Sequence, residues 1–258
     1  MIATKATPSR EATGVQGLDA MLGGGVMPGD ATLVAGSPGT GKTTLGLHFI
    51  AAGVAAKEPG VFVTFEYLPQ QIYRDAAAKG FPLREWDDAG KVRVICTTPD
   101  VLLARSADGD SILDEAVRSI GARRVVIDSV VHFEFHHPDT RTLRNDMAGL
   151  LNHLRLLNVT TLLTHEVPQI IGPTVSISSW GLEFLVDNLI LLRYVELEGA
   201  MQKAINVLKF RGGDHDRAYR ALRTTSRGLV VEAGFTGVEN ISTGSARREL
   251  VDRVKDLI

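Results

Sequence analysis

The chain has 258 residues, 44% apolar, 6% aromatic and 22% charged, enough apolar material for a full globular core and too much for a disordered or low-complexity chain. Lys plus Arg (28) against Asp plus Glu (30) gives a net charge of −2, which supplies no global pull toward nucleic acid or an anionic membrane, so any polyanion has to be held locally. A single cysteine, Cys96, excludes a disulfide framework and a cysteine zinc site and fits packing in a reducing cytosol; with no apolar run of ~18 residues for a membrane span and no apolar centre of a secretion signal in residues 1–15, a soluble cytoplasmic protein is expected.

Residues 1–12 are polar and aperiodic and read as a loose arm able to lie on a neighbouring subunit. From Thr13 onward, short β-branched runs alternate with helical periodicity, the pattern of a mostly parallel sheet with crossover helices. Strands are predicted over 31–35, 60–65, 92–96, 124–127, 160–164 and 188–193, several of them apolar at consecutive positions, as strands buried on both faces are. Helices are predicted over 42–55, 69–79, 111–121 and 140–158. In the last of these, Leu143, Met147, Leu150, Leu151, Leu154 and Leu157 make one apolar stripe. The final third changes character: 190–194, 204–210, 218–224 and 228–232 read as consecutive strands with short polar turns, an antiparallel extension of one sheet edge. Residues 13–245 read as one domain, followed by an amphipathic tail, 246–258, expected to dock as a helix.

The sharpest motif is Gly36, Ser37, Pro38, Gly39, Thr40, Gly41, Lys42 and Thr43, which matches G-x-x-x-x-G-K-[ST] between an apolar strand and a helix-forming segment. Glycines at those positions let backbone amides curl around the β- and γ-phosphates of a nucleotide. The lysine neutralises charge, the threonine hydroxyl ligates magnesium, and the following helix aims its positive end at the phosphates. Gly39, Thr40, Gly41, Lys42, Thr43 and Thr44 are therefore the expected nucleotide positions. A carboxylate on the metal's side is expected at the end of a later buried strand, and 124–127 ends in Asp128. A general base is predicted in Glu66, which closes the apolar run 61–65 and would face the γ-phosphate if that strand lies beside the first. Thr43, Asp128 and Glu66 are the metal-side candidates, for ATP with Mg2+.

Together these segments resemble the RecA-type ATPases, and among them the KaiC branch. Thr13 to Asp19 with Leu22 to Gly25 looks like that branch's opening signature. The phosphate loop, Gly60 to Glu66, Asp128-Ser129, and Ile205 to Gly212 with His215 follow in the family's order. The resemblance covers about residues 13–245 and implies a RecA-like α/β fold and a homo-hexameric ring with ATP between adjacent subunits. One subunit then gives the phosphate loop and the next gives Lys209 and Arg211 to the γ-phosphate. It also implies that Phe210, Gly213, His215, Arg217, Thr225 and Ser226 line the base and ribose. Residues 209–227 carry six basic and two acidic residues, a local excess fitting that role. The chain departs from the cyanobacterial clock protein for which that branch is named where paired glutamates follow the second strand: Glu66 is followed by Tyr67, leaving one carboxylate. At the two positions matching that protein's self-phosphorylated residues stand Glu183 and Phe184, which cannot accept a phosphoryl group; Ser176, Ser178 and Ser179 remain secondary acceptors, against a plain reading as a polar interface loop.

Other signals are set aside. His132, Glu134, His136, His137 and Asp139 contain zinc-ligand types at no spacing of a structural site and read as a variable interface loop. His165-Glu166 lacks the second histidine of a zinc-protease helix, and Asp108-Gly109-Asp110 is too short for a calcium loop. Thr164 and His165 end a buried strand near the expected γ-phosphate, placed either to sense hydrolysis or simply to pack. The favoured expectation is an ATP-hydrolysing ring that changes its surface for a regulatory protein partner. The alternatives are an autophosphorylating serine/threonine kinase and a RecA-like DNA repair ATPase; the latter is disfavoured by the scarcity of positive charge in 132–144 and 166–180.

Overall fold

The structure is a computed structural model, and the residues it describes are 9–105, 110–137, 139–168, 177–235, 238–239, 241 and 245–248. The consecutive apolar runs form β1 (Ala31–Gly36), β2 (Gly60–Thr64), β3 (Val92–Cys96), β4 (Arg124–Asp128), β5 (Thr160–Glu166) and β6 (Asn188–Leu197). β7 (Ala200–Phe210), β8 (Arg220–Thr225) and β9 (Gly228–Gly234) follow as antiparallel neighbours, giving the order β3-β2-β4-β5-β1-β6-β7-β8-β9. β1 to β6 are mutually parallel where they pair. The adjacency of second and first strands on which the facing of Glu66 to the γ-phosphate is conditional is not met, because the later strands β4 and β5 insert between β1 and β2.

Because side chains alternate along a strand, the sheet sorts its apolar residues into two cores. Leu33, Ala35, Val61, Val63, Val125, Ile127 and Leu163 pack on one face. Val34, Phe62, Val126, Leu162 and Ile190 pack on the other. Burying each such Leu, Ile, Val or Phe is worth about 1.5–3 kcal/mol.

The helices are α1 (Leu18–Met21), α2 (Lys42–Ala55), α3 (Pro69–Ala77), α4 (Leu83–Asp88), α5 (Pro99–Leu103), α6 (Ile112–Ile120), α7 (Val131–His136), α8 (Thr140–Leu156) and α9 (Leu182–Leu185). Their limits follow from local chemistry. Ser111 Oγ accepts from the Asp114 amide at 3.2 Å while Asp114 accepts from the Ser111 amide at 2.8 Å, and Gly121 at φ 63° ends α6. Asp139 accepts from the amides of Arg141 and Thr142 to start α8, whose leucine stripe is buried. α7 occupies the segment read from sequence as an interface loop.

Of the arm and the tail, the structure describes residues 9–12 and 246–248. Arg10 donates to the carbonyls of Gly25 and Gly212, and Glu11 pairs with Val26, so the described part of the arm is bound to its own chain. Short strands β10 (Val238–Glu239) and β11 (Ser245–Arg248) pair with each other, and β11 also runs along the end of β6. The tail therefore begins as a strand, and residues 249–258, like Ser176, Asp108, Gly109 and Gln169, lie outside the described residues.

Candidate functional site

The phosphate loop leaves β1 at Gly36 and enters α2 at Lys42, at the carboxyl ends of the parallel strands. Gly39 and Gly41 sit at φ 76° and 115°, where a side chain is strained; a Cβ on Gly41 would also come within 3.1 Å of Leu229. The loop is braced from inside, with Thr40 Oγ1 donating to the Ser37 carbonyl at 2.8 Å. Buried Lys42 reaches the same carbonyl at 3.1 Å and the Glu166 carboxylate at 3.4 Å. Glu166 is there because β5 runs beside β1 with Gly36 opposite Glu166.

Thr43 Oγ1 donates to Asp128 at 2.9 Å, and Thr164 Oγ1 donates to the other oxygen of that carboxylate. Burial pushes the Asp128 carboxyl above the usual range, and the two hydroxyls pull against it. Glu66 follows β2; its Oε1 meets His132 Nε2 at 2.9 Å. Next to it the Tyr67 phenol is raised by burial and then by the Glu66 carboxylate. Loop, hydroxyls and carboxylates enclose a cleft of about 300 Å³ that Gly39, Gly41, Lys42, Thr43, Thr44, Glu66 and Asp128 line. Glu166, Tyr67, Lys79, Lys203 and Thr224 line it too; strand pairing brings in Glu166, Lys203 and Thr224, while Tyr67 follows Glu66 in the chain and Lys79 lies just past α3.

Register divides the other candidates into two groups. Parallel β6 sets Thr32 opposite Asn188 and Gly36 opposite Leu192. On antiparallel β7, Phe210 faces Asn188 and Lys203 faces Tyr194. Lys203 and the end of β8 with Thr224, Thr225 and Ser226 therefore lie at the loop's end of the sheet. Lys209, Phe210 and Arg211 lie at the opposite end, on the order of 20 Å away at ~3.4 Å per strand residue. None of Lys209, Phe210, Arg211, Gly213, His215 or Arg217 lines the cleft of its own chain.

At that far end Lys209 Nζ donates to the carbonyls of Val186 at 2.6 Å and Glu183 at 3.1 Å, while exposed Arg211 pairs with Asp187 at 3.4 Å. Phe210 is buried beneath the Arg10 guanidinium and against the His215 ring, and His215 Nε2 donates to the Val207 carbonyl at 3.1 Å. Gly213 takes φ 135° and Arg217 pairs with Asp214 in the open. Thr225 Oγ1 instead closes its own turn on the Gly228 carbonyl.

The histidine-rich segment disperses. His132 goes to Glu66, Glu134 accepts from Trp180 and neighbours buried His165, His136 nears Asp100, His137 joins Asp146, and Asp139 caps α8. Ser178 donates to Glu183, and Phe184 is exposed. Cys96 is half-buried, with burial and Asp87 raising its thiol. Among the described residues, no helix is long and apolar enough to cross a membrane.

The family model "ATPase: KaiC" matches residues 11–234. The circadian clock oscillator protein KaiC of Synechococcus elongatus is 30% identical over 248 residues, covering 96% of this chain and 47% of that protein. Its namesake from Parasynechococcus marenigrum is 36% identical over 212 residues, 79% of this chain and 41% of that one. The chain thus spans about half the length of the curated relatives it matches. Among solved structures, the KaiC-like protein PH0186 from Pyrococcus horikoshii OT3 aligns with a TM-score of 0.77 at 29% identity, over 87% of this chain and 99% of that one. A phosphate loop, a hydroxyl–carboxylate pair and a strand-end glutamate on a RecA-like sheet, matched by the family model over most of its length, make this chain a member of the KaiC family of ATPases.

Proposed function

We propose that residues 13–245 form an ATP-hydrolysing domain that assembles into a homo-oligomeric ring, a hexamer by family resemblance. ATP sits at the seam between protomers, and the nucleotide state is read by a regulatory protein partner in the cytoplasm. The observation that carries the hydrolytic half is the convergence of buried Lys42, the Thr43–Asp128 pair and Glu66 on one cleft. The placement of Lys209 and Arg211 at the other end of the same sheet supports the seam, since they can meet a triphosphate only on a neighbour.

Two hard oxygen donors 2.9 Å apart, a threonine hydroxyl and a carboxylate, beside a phosphate-binding lysine fit a magnesium ion. Thr43 would hold it directly with Asp128 behind, and when bound it neutralises charge on the β- and γ-phosphates. The chain's own residues do the rest. Loop amides and Lys42 bind the phosphates, Glu66 takes a proton from the attacking water, and the neighbour's Lys209 and Arg211 stabilise the charge that develops on the transferred group. Thr225 and Ser226, at the loop's end of the sheet, face the base and ribose from the same chain; Phe210, Gly213, His215 and Arg217 do so from the neighbour.

Two measurements test this. Glu66→Gln is expected to keep nucleotide binding while phosphate release falls about 10²–10⁴-fold; undiminished turnover moves the base elsewhere. Solution mass is expected to rise on adding magnesium and ATP, and an ATP-hydrolysing monomer rejects the shared site.

A further inference from the structure

We infer that His132 is a positioning residue for Glu66, holding one carboxylate oxygen so that the other is presented to the attacking water. This rests on the reading of Glu66 as the base. His132 Nε2 lies 2.9 Å from Glu66 Oε1. An ionised carboxylate can only accept, so Nε2 carries the proton and donates. With Oε1 held, Oε2 is the oxygen for water. In the hydrolytic step one water O–H bond breaks and its proton passes to Oε2. The water oxygen bonds the γ-phosphorus, and the bridging P–O bond breaks with its electron pair leaving on ADP. His132 keeps its own proton throughout.

The imidazole is pre-placed rather than free to wander. Its ring packs 5.7 Å from that of Phe65, the residue before Glu66, so the same two segments are joined by an apolar and a polar contact. α7, which carries it, is pinned on three sides. Phe133 is fully buried and meets Phe65 edge-on at 5.4 Å. Glu134 accepts from Trp180 Nε1 at 2.6 Å, and His137, just past the helix, reaches Asp146 on α8 at 2.9 Å. A side chain on so short a helix is held by such anchors, and a base fixed in this way needs no reorganisation when water arrives.

The test uses full-length protein with magnesium and ATP and separates the hydrogen bond from the packing. His132→Phe keeps a ring against Phe65 but removes the donor; His132→Gln restores an N–H donor. The expected result is a kcat about tenfold lower in His132→Phe, with KM and nucleotide Kd unchanged and most of the rate returned in His132→Gln. In the Glu66→Gln background His132→Phe should cost nothing further, because the pair acts as a unit. Independently of activity, the ¹⁵N resonance of His132 Nε2 should move on Glu66→Gln. A wild-type kcat in His132→Phe, an equal loss in both backgrounds, or an unmoved resonance overturns the inference. If instead Glu66→Gln hydrolyses ATP as fast as wild type, the base assignment itself falls, an outcome distinct from a silent His132→Phe beside a dead Glu66→Gln.

Discussion

The two ends of the sheet hold positive charge in opposite ways. At the loop's end Lys42 is buried among groups of its own chain that can be used together: Thr43, Asp128, Glu66 and Glu166 all border one cleft. At the other end Lys209 is tethered to the carbonyls of Val186 and Glu183. Burial and adjacent Arg211 lower its pKa, with Asp187 and Glu183 pulling the other way. An ammonium whose charged form is disfavoured in this way gains from an anion brought to it, and the phosphate loop of its own chain lies at the opposite end of the sheet. The contrast teaches that half of the proposed chemistry is complete within one fold and the other half is presented outward.

The largest effect should come from breaking the outward half. Arg211→Ala is expected to lower turnover about 10³-fold, the lower range for a cation supplied across an interface, while leaving the phosphate loop intact. Mixing it with Lys42→Ala protomers should then recover part of the activity, because a seam with intact Lys42 on one side and intact Arg211 on the other can form. No recovery in the mixture would place both residues in one protomer's site, against the register. Lys42→Ala alone is expected to weaken nucleotide affinity about 10²-fold, or about 2.7 kcal/mol, measurable by titration calorimetry.

Legibility in the sequence follows the same division. The phosphate loop and Asp128 could be read because each is a local pattern, a contiguous motif or a strand ending in a carboxylate, and Glu66 for the same reason. Its neighbourhood could not be read. Glu66 was tied to adjacency of β2 and β1, yet β4 and β5 stand between them. It borders the cleft because all these strands end at one edge, whichever is next to which. Glu166 and Lys203 enter only through strand register, one parallel and one antiparallel. His132 reads from sequence as part of an interface loop, because α7 is six residues long and an apolar period cannot register in it, and its contact with Glu66 depends on the fold. The family's likeness pointed to Lys209 and Arg211, but only the pairing of β6 with β7 shows that they stand far from their own loop.

A smaller effect sharpens the inward half. β9 is held over α2 by His48, whose Nε2 accepts from the Leu229 amide at 2.8 Å, close behind Gly41. Burial pushes this imidazole below its usual 6.5. A base depressed in the folded state binds its proton more readily when unfolded, so stability should be full above the unfolded pKa and fall as pH drops below it. The slope is at most about 1.4 kcal/mol per pH unit. His48→Gln keeps an acceptor for Leu229 and removes the titration. Urea melts at pH 7.5 and 5.5 should show wild type losing stability relative to the variant only at the lower pH; a constant difference would remove His48 as the cause.

The smallest expected effect discriminates best between a structural and an interfacial role for the outward residues. Arg217 is exposed and pairs with an equally open Asp214 at 3.3 Å, a contact that water screens to little or nothing. Arg217→Ala should therefore change the stability of the isolated chain by less than about 0.5 kcal/mol in a denaturant melt. A side chain so free of intramolecular duty has no structural means of altering catalysis. If the variant melts like wild type but binds ATP several-fold more weakly once assembled, and no more weakly as a monomer, the loss has to arise at the seam. Equal affinity in both states would take Arg217 out of the nucleotide site while leaving Lys209 and Arg211 in it.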